Sequence, residues 1–417
     1  MSGTWHSLPM QASSYDVVIA GSGFVGRALA LALAKFAPDS FRIALIDAEP
    51  PSGERDDARA SALSAASRNL LSVLGVWPAL EANAQAIASI EVTDSPLNAT
   101  LRPHLLGFEQ ELKPGVIAFM VENRDLHRAL ADAVRETRGI AVLAPQTVTD
   151  YRADGFRATV VLGDGSELEA SLLVAADGKR SRLRERAEIK CIAWSYPQAG
   201  IVTTVAHSKP HHGKAVQHFL PAGPFAILPL KGDRSSIVWT EDRDRARAIL
   251  EGNEVLVLAE LSKRFGSRLG DIAVAGPVQS FPLDFRLARS FVADRLALVG
   301  DAAHAVHPLA GQGLQIGLRD VAALAATIVE AVRLGLDIGS APMLERYERW
   351  RRFDSTFSAT AMDGLNRLFS SDSAPLRALR DLGLGLVERT PPLKRFLVRE
   401  AAGTTGATPR LLRGETV

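Results

Sequence analysis

Six residues near the start of the chain, Gly21-Ser22-Gly23-Phe24-Val25-Gly26, restrict its fold more than any other segment. They follow a short apolar run at 16–20 and lead straight into an Ala/Leu-rich stretch of helical character that reaches about residue 37. A second apolar run, 42–46, ends at Asp47, 21 residues beyond Gly26. Strand, glycine turn, helix and strand in that order make a βαβ opening, which requires a parallel sheet with helices packed on it. Gly21 permits the tight turn, Gly23 lets the backbone approach a pyrophosphate, and Gly26 allows close helix packing. The helix N-terminus, Phe24 and Val25 included, then offers N–H groups and partial positive charge to phosphates. Asp47 can accept hydrogen bonds from ribose hydroxyls. On this motif alone, FAD and NAD are equally suitable dinucleotides.

Further along, 61–74 has the apolar spacing of a helix, 87–119 is broken and strand-like, and 122–134 is helical again. Runs at 156–162 and 167–176, joined by Gly163-Asp164-Gly165-Ser166, predict a hairpin. Four alternating runs, 201–206, 216–220, 225–230 and 235–240, with turn residues between them, predict a mostly antiparallel sheet inserted into the α/β fold. A strand at 295–299 precedes a long apolar helix at 313–332, and helical character continues to about residue 402 before a polar, mobile tail.

A second motif, Asp177-Gly178-Lys179-Arg180-Ser181-Arg182-Leu183-Arg184, directly follows a strand. Composition alone makes it a solvated basic turn, yet its donors and cations also suit a phosphate or a second nucleotide. The third motif is Gly300-Asp301-Ala302-Ala303-His304, continuing through His307-Pro308-Leu309-Ala310-Gly311-Gln312-Gly313 into the long helix. A carboxylate after a buried strand, then a Pro/Gly loop and a helix start, can hold a ribityl hydroxyl and present N–H groups to a flat ring. His304 and His307 lack further ligands at metal spacing, so no metal site is expected.

Bulk properties exclude several classes. With 48 Lys and Arg against 47 Asp and Glu, the net charge is +1, which gives no field for nucleic acid. Cys191 is the single cysteine, so neither an internal disulfide nor a paired-thiol redox mechanism can form. Residues 1–14 have neither a basic start nor an apolar core, and are read as a disordered leader rather than a secretory signal. The longest apolar runs, such as 28–34, fall well short of the roughly 20 residues of a membrane span. A cytoplasmic enzyme is expected.

The three motifs, in this order and about 150 and 120 residues apart, resemble the group A flavoprotein monooxygenases with the para-hydroxybenzoate hydroxylase fold. Within that group the chain looks most like the ubiquinone-biosynthesis hydroxylases. The likeness lies in Arg59-Ala60-Ser61-Ala62-Leu63-Ser64, Val121-Glu122-Asn123-Arg124, Phe281-Pro282-Leu283, the His307–Gly313 loop and Gly317-Leu318-Arg319-Asp320. Segments 366–370 and 391–395 add to it. The resemblance implies a Rossmann-like FAD-binding domain from 15–85, 120–185 and 285–345. A β-sheet substrate domain would come from 86–119 and 186–284, and a helical C-terminal region from 346–417. It implies an oxidoreductase in which NAD(P)H reduces FAD and a flavin C4a-hydroperoxide hydroxylates a phenol, polyprenylated in ubiquinone biosynthesis.

Carried over by that likeness, Gly21, Gly23, Gly26 and Asp47 would hold the ADP part of FAD. Asp177 and Gly178 would serve FAD and NAD(P)H docking, and Gly300 and Asp301 the ribityl chain. Pro308, Gly311, Gln312 and Gly313 would lie against the isoalloxazine, with Arg59 and Asn123 as additional contacts. One position departs from the family pattern: the common Asn is Gln315 here, one methylene longer, which points to lower flavin affinity. Phe219, Leu228, Pro229 and Trp239 are the apolar candidates for the substrate wall; no catalytic base stands out, His218 being a lone strand histidine. The segment 376–413, with eight Lys/Arg and three Asp/Glu among apolar residues, suits a peripheral membrane or partner contact. Competing readings are an FAD-binding accessory subunit without hydroxylase activity and a hydroxylase of a small catabolic aromatic.

Overall fold

The strand β1 (Ser13–Ala20) ends in Val17-Val18-Ile19-Ala20, apolar on both faces, and such a strand must be covered on both. All four residues are buried. In the computed structural model, which describes residues 13–50, 57–94, 104–109, 116–306, 312–369, 390 and 408–417, β1 is central in a largely parallel sheet. On one side it pairs in parallel with β2 (Ile43–Ile46), and β2 with Ile140–Leu143. On the other it pairs in parallel with Glu167–Ala175, which pairs likewise with Leu296–Leu298. The helix α1 (Phe24–Phe36) returns over the sheet and buries Ala28 to Leu33 against it. This is the βαβ unit read from the sequence.

The hairpin forms as expected, with Ala158–Leu162 antiparallel to Glu167–Ala175. The second sheet is mostly antiparallel and built round four strands, Cys191–His207, Lys214–Leu220, Gly223–Leu230 and Arg234–Asp242. One exception is the parallel pairing of Lys214–Leu220 with Ser89–Asp94. Helices Gln312–Arg333 and Ala341–Phe369 follow the last parallel strand. The rest of the helical stretch expected up to residue 402 lies outside the described residues, as do residues 1–12 of the leader expected over 1–14; Ser13 and Ser14 are not leader but the start of β1, paired with Leu168 and Glu169.

Two expectations change. The helix expected over 61–74 begins only at Ala65, because Ala60–Ser64 pairs as a strand with Ala118–Glu122. Ser64 then caps the helix Ala65–Val73, its Oγ accepting the Ser67 N–H. The tail from residue 403 is not mobile where it is described: Leu411 and Leu412 are buried in the main core, and Asn69 Nδ2 donates to the Leu412 carbonyl at 3.2 Å. Two adjacent leucines in a polar tail bury enough apolar surface to anchor it.

Behind the second sheet, the helices Arg243–Glu251 and Glu254–Phe265 cover its far face. Buried Arg264 fastens them, pairing with Glu241 at 2.9 Å and Glu260 at 2.8 Å while its guanidinium lies 3.9 Å from the Trp239 ring. Burial alone would raise the Glu260 carboxyl, but hydrogen bonds from Lys263 and Arg264 bring it down to about 2. Arg264→Ala leaves buried Glu241 with the neutral N–H donors of Trp239 and Asp242 and, among the described residues, no cation nearer than Arg245 at 3.9 Å, and is expected to cost about 3–5 kcal/mol in denaturant unfolding. The stabilisation by Glu260 is complete above its ordinary 4.5 and is lost as pH falls toward about 2. Glu260→Gln is therefore expected to destabilise at pH 7 and to match the parent protein near pH 2.

Candidate active site

The turn after β1 is a steric solution to a crowded corner. Gly21 has φ +111°, and a Cβ there would sit 2.3 Å from the Ala176 carbonyl oxygen. A Cβ on Gly26 would lie 1.9 Å from the Gly21 oxygen, so only glycine lets α1 start this close to the strand ends. Gly23 caps the helix without any side-chain hydrogen bond, and a Cβ on it would meet nothing within 4 Å. The first N–H groups of α1 are left without intrahelical partners at the edge of a cavity of about 610 Å³. Such a cradle fits a phosphate.

All three motifs reach that cavity. Gly23, Phe24 and Val25 come from the first, Gly178 and Lys179 from the second, and Asp301 with Gly313 from the third. The second motif is not simply a solvated basic turn. Its Arg184 is buried, donating from Nη1 to the Ala302 carbonyl at 2.8 Å and from Nη2 to the Lys179 carbonyl at 3.1 Å, and so ties the second motif to the third. Val25 ties the first to the third. Its side chain packs where Cβ atoms on Gly300 and Gly317 would approach within 3.1 and 2.7 Å.

Asp301 lines the cavity and is itself exposed there, with the protein walls of the cavity around it. That surrounding raises its carboxyl above the ordinary carboxylate range, against the opposing charges of His304, Arg59 and Lys179. Arg59 lines the same cavity, 5.0 Å from the Phe281 ring centroid. It is held there by Asp57, which accepts from Arg59 Nε and Nη2 at 2.7 Å each. Asp57 in turn accepts from Asn123 Nδ2 at 2.9 Å, and Asn123 Oδ1 accepts from Ser61 at 2.7 Å. Burial would raise the Asp57 carboxyl, but the Arg59 and Asn123 hydrogen bonds hold it below its usual range. Neither link of this clamp beyond Arg59 and Asn123 is visible in sequence spacing, since Asp57 resembles any loop acid.

The opposite wall is the second sheet, and strand alternation decides what faces in. Ser236, Val238 and Thr240 line the cavity from one strand, Pro224, Ala226 and Leu228 from the next, with Gln217 beyond and Gly200 and Val202 on the other side. Ile237, Trp239, Phe225 and Ile227 point the other way into the core under the two helices. Of the four wall candidates, Leu228 lines the cavity, while Phe219, Pro229 and Trp239 do not. Trp239 instead stacks with Arg264 and donates to Glu241 at 3.2 Å. The wall residues missed by sequence reading are small, and hydrophobicity favours the bulky side of each strand. The Ser236 and Thr240 hydroxyls and Gln217 Nε2 are buried without hydrogen-bond partners among the described residues.

The remaining candidates sit around the cavity rather than in its lining. Gly21 and Gly26 shape the turn, and Gly300 begins the single 3₁₀ turn that carries Asp301. Buried Asp47, at the end of β2, accepts from Arg27 Nη2 at 3.4 Å and from the Glu49 N–H at 3.2 Å. Asp177 accepts the Arg182 N–H at 3.0 Å through one oxygen, and its other oxygen is buried without a partner among the described residues. Buried Gln312 opens the long helix; Gln315 is buried too, its Oε1 without a partner among the described residues. Pro308 and Gly311 lie outside the described residues, as does His307. His304 hydrogen-bonds Asp320 at 2.7 Å, and His218 bonds Thr93 in the core.

The family described as an FAD binding domain matches residues 14–354. Over 405 residues the chain is 44% identical to a ubiquinone hydroxylase, UbiL, of Rhodospirillum rubrum, covering 96% of this chain and 92% of the relative. It is 37% identical to the 3-demethoxyubiquinol 3-hydroxylase of Escherichia coli, over 93% of this chain and 98% of that one. The human mitochondrial ubiquinone biosynthesis monooxygenase COQ6 is 30% identical, over 93% and 92%. Among solved structures, the p-nitrophenol 4-monooxygenase of Pseudomonas putida superposes with a TM-score of 0.76 over 94% of this chain and 100% of that one. At 20% identity, this likeness concerns the fold.

Asp301 yields a pH prediction. Its carboxyl in the folded chain titrates above that of the unfolded chain, so its contribution to stability is fullest at low pH and is lost as pH rises through the folded value. Asp301→Asn is expected to raise the Tm of the flavin-free protein at pH 7, and this gain is expected to fade on acidification below the ordinary carboxylate range. A Tm difference that does not vary with pH would contradict this.

Proposed function

The chain belongs to the group A flavin monooxygenases, and from that membership we propose that it hydroxylates the ring of a polyprenylated phenol in ubiquinone biosynthesis. NAD(P)H and O2 are the co-substrates: one oxygen atom enters the ring, the other leaves as water, and NAD(P)H provides the two electrons. The observation that carries the reading is the single cavity lined on one side by all three motifs and on the other by a largely apolar, small-residue sheet face. FAD, when bound, supplies the redox chemistry.

The residues present fit that cofactor. The uncapped N-terminus of α1 suits the pyrophosphate, Asp47 the adenosine ribose, and Asp301 the ribityl hydroxyls. Gly178 and Lys179 at the cavity edge suit the passage of a nicotinamide dinucleotide. The wall residues Val202, Ala226, Leu228 and Val238 exclude water from an aromatic ring placed between them and the flavin side. The small side chains of Val202, Ala226 and Val238 leave room for the ring, and the Ser236 and Thr240 hydroxyls and Gln217 Nε2, without partners among the described residues, offer polar groups to its oxygens.

Among the described residues no helix is long and apolar enough to cross a membrane. The basic, apolar composition of 376–413 favours a peripheral contact with the inner membrane face, where a polyprenylated substrate would reside, through residues before its described end 408–413, whose Leu411 and Leu412 are buried in the main core.

Two measurements test the reading. The protein purified with FAD should show bands near about 370 and 450 nm. Short-chain prenylated phenols should accelerate NAD(P)H oxidation and oxygen uptake, with a product one oxygen atom heavier. Nucleotide oxidation that yields only hydrogen peroxide with every phenol would overturn it. The wall is tested by Ala226→Phe, expected to keep full flavin content while raising KM for the phenol at least about tenfold, as overfilling a packed site does.

A further inference from the structure

The long helix that follows the third motif carries a fully buried acid outside the cavity lining, Asp320. Its Oδ2 accepts the Gly300 N–H at 2.9 Å and the His304 Nε2 at 2.7 Å, while Oδ1 accepts Arg351 Nε at 2.8 Å. Gly300 opens the 3₁₀ turn Gly300–Ala302 that carries Asp301, and His304 follows it by two residues, so the two flank the segment 300–304. One carboxylate oxygen therefore grips both ends of the segment whose middle faces the cavity. Within it, the Ala303 N–H closes on the Gly300 carbonyl at 2.9 Å.

Burying a carboxylate and a guanidinium is costly, and apolar residues of similar volume pack helices together as well or better. Helix packing alone thus gives no reason for Asp320. What an apolar residue cannot do is accept two donors from the ends of one segment. Arg351, itself anchored to Ser355 at 3.2 Å and paired with Asp354, balances the charge and keeps the carboxylate oriented. His304 has its Nδ1 buried without a partner, so Asp320 supplies the one hydrogen bond that its ring makes among the described residues.

We propose that Asp320 is a positioning residue for Asp301: it sets where the Asp301 carboxylate stands in the cavity, and through it the affinity for the flavin half of FAD. This rests on the reading that FAD occupies the cavity. Asp47 and the turn after β1 lie on other elements and make no hydrogen bond to Asp320 among the described residues, so the ADP half is expected to be spared by loss of its carboxylate.

The test is a double-mutant cycle of Asp320→Asn and Asp301→Asn on the full chain stripped of flavin, titrated with FAD by flavin fluorescence and with ADP as competitor. Asp320→Asn is expected to weaken FAD about tenfold while ADP affinity stays within about twofold. In the Asp301→Asn background the same replacement is expected to weaken FAD by less than about twofold. Equal loss for FAD and ADP, or the same FAD loss in both backgrounds, would show a general structural role and overturn the proposal. If Asp320→Asn does not fold once Arg351 loses its buried carboxylate partner, the pair Asp320→Leu with Arg351→Met, which removes both charges, takes its place in the same cycle. Failure of the parent protein to bind FAD would instead overturn the flavin reading itself.

Discussion

The architecture depends on one close approach of backbone to backbone. The start of α1 sits directly on the ends of β1 and its neighbour Glu167–Ala175, with separations that no side chain at position 21 or 26 could tolerate. Because α1 begins there, its N–H groups open onto the space above the strand ends, and Val25 reaches the gap between Gly300 and Gly317. That contact draws the third motif, and with it Asp301, to the same place. Buried Arg184 brings in the second motif through the Ala302 carbonyl. Three segments far apart in sequence thus become one surface through small-residue packing and buried polar contacts.

The second sheet solves a different problem: it must be a core on one face and a wall on the other. Bulky residues, Phe225, Ile227, Ile237 and Trp239, go to the core face, where the helices cover them and Arg264 fastens the assembly. The cavity face is left mostly with glycine, alanine, valine, serine and threonine, joined by Pro224, Leu228 and Gln217. The thickness of the core and the volume of the cavity are therefore set by alternate residues of the same strands.

This division explains what could be read in the sequence. The βαβ opening, the hairpin and the four inserted strands were legible because their signals are local: glycines at fixed offsets, turn residues between alternating runs. The three motifs were legible because each constrains its own backbone. The wall was not, since Trp239 and Phe219 carry the strongest apolar signal, and alternation had to be anchored by the fold before Ala226 and Val238 could be placed. Nor was the pairing of Ala60–Ser64 with Ala118–Glu122, a contact across almost sixty positions that overrides helical spacing. Asp57, Asp320 and Arg351 act through partners distant in sequence, where no short pattern reveals them.

The order of strands in the parallel sheet bears on time as well as shape. β1, the earliest strand described, lies against Glu167–Ala175, and that strand's other neighbour is Leu296–Leu298. Pairings separated by more than a hundred residues close large loops before any gain is collected, so they form late. During synthesis, β1 and β2 would wait with apolar faces and an unpaired edge until the rest of the sheet emerged. The cavity, needing residues from both ends of that span, would be among the last features to exist. A molecule that binds only the finished cavity then stabilises the whole long-range assembly by mass action, making its supply a determinant of how much chain survives to work.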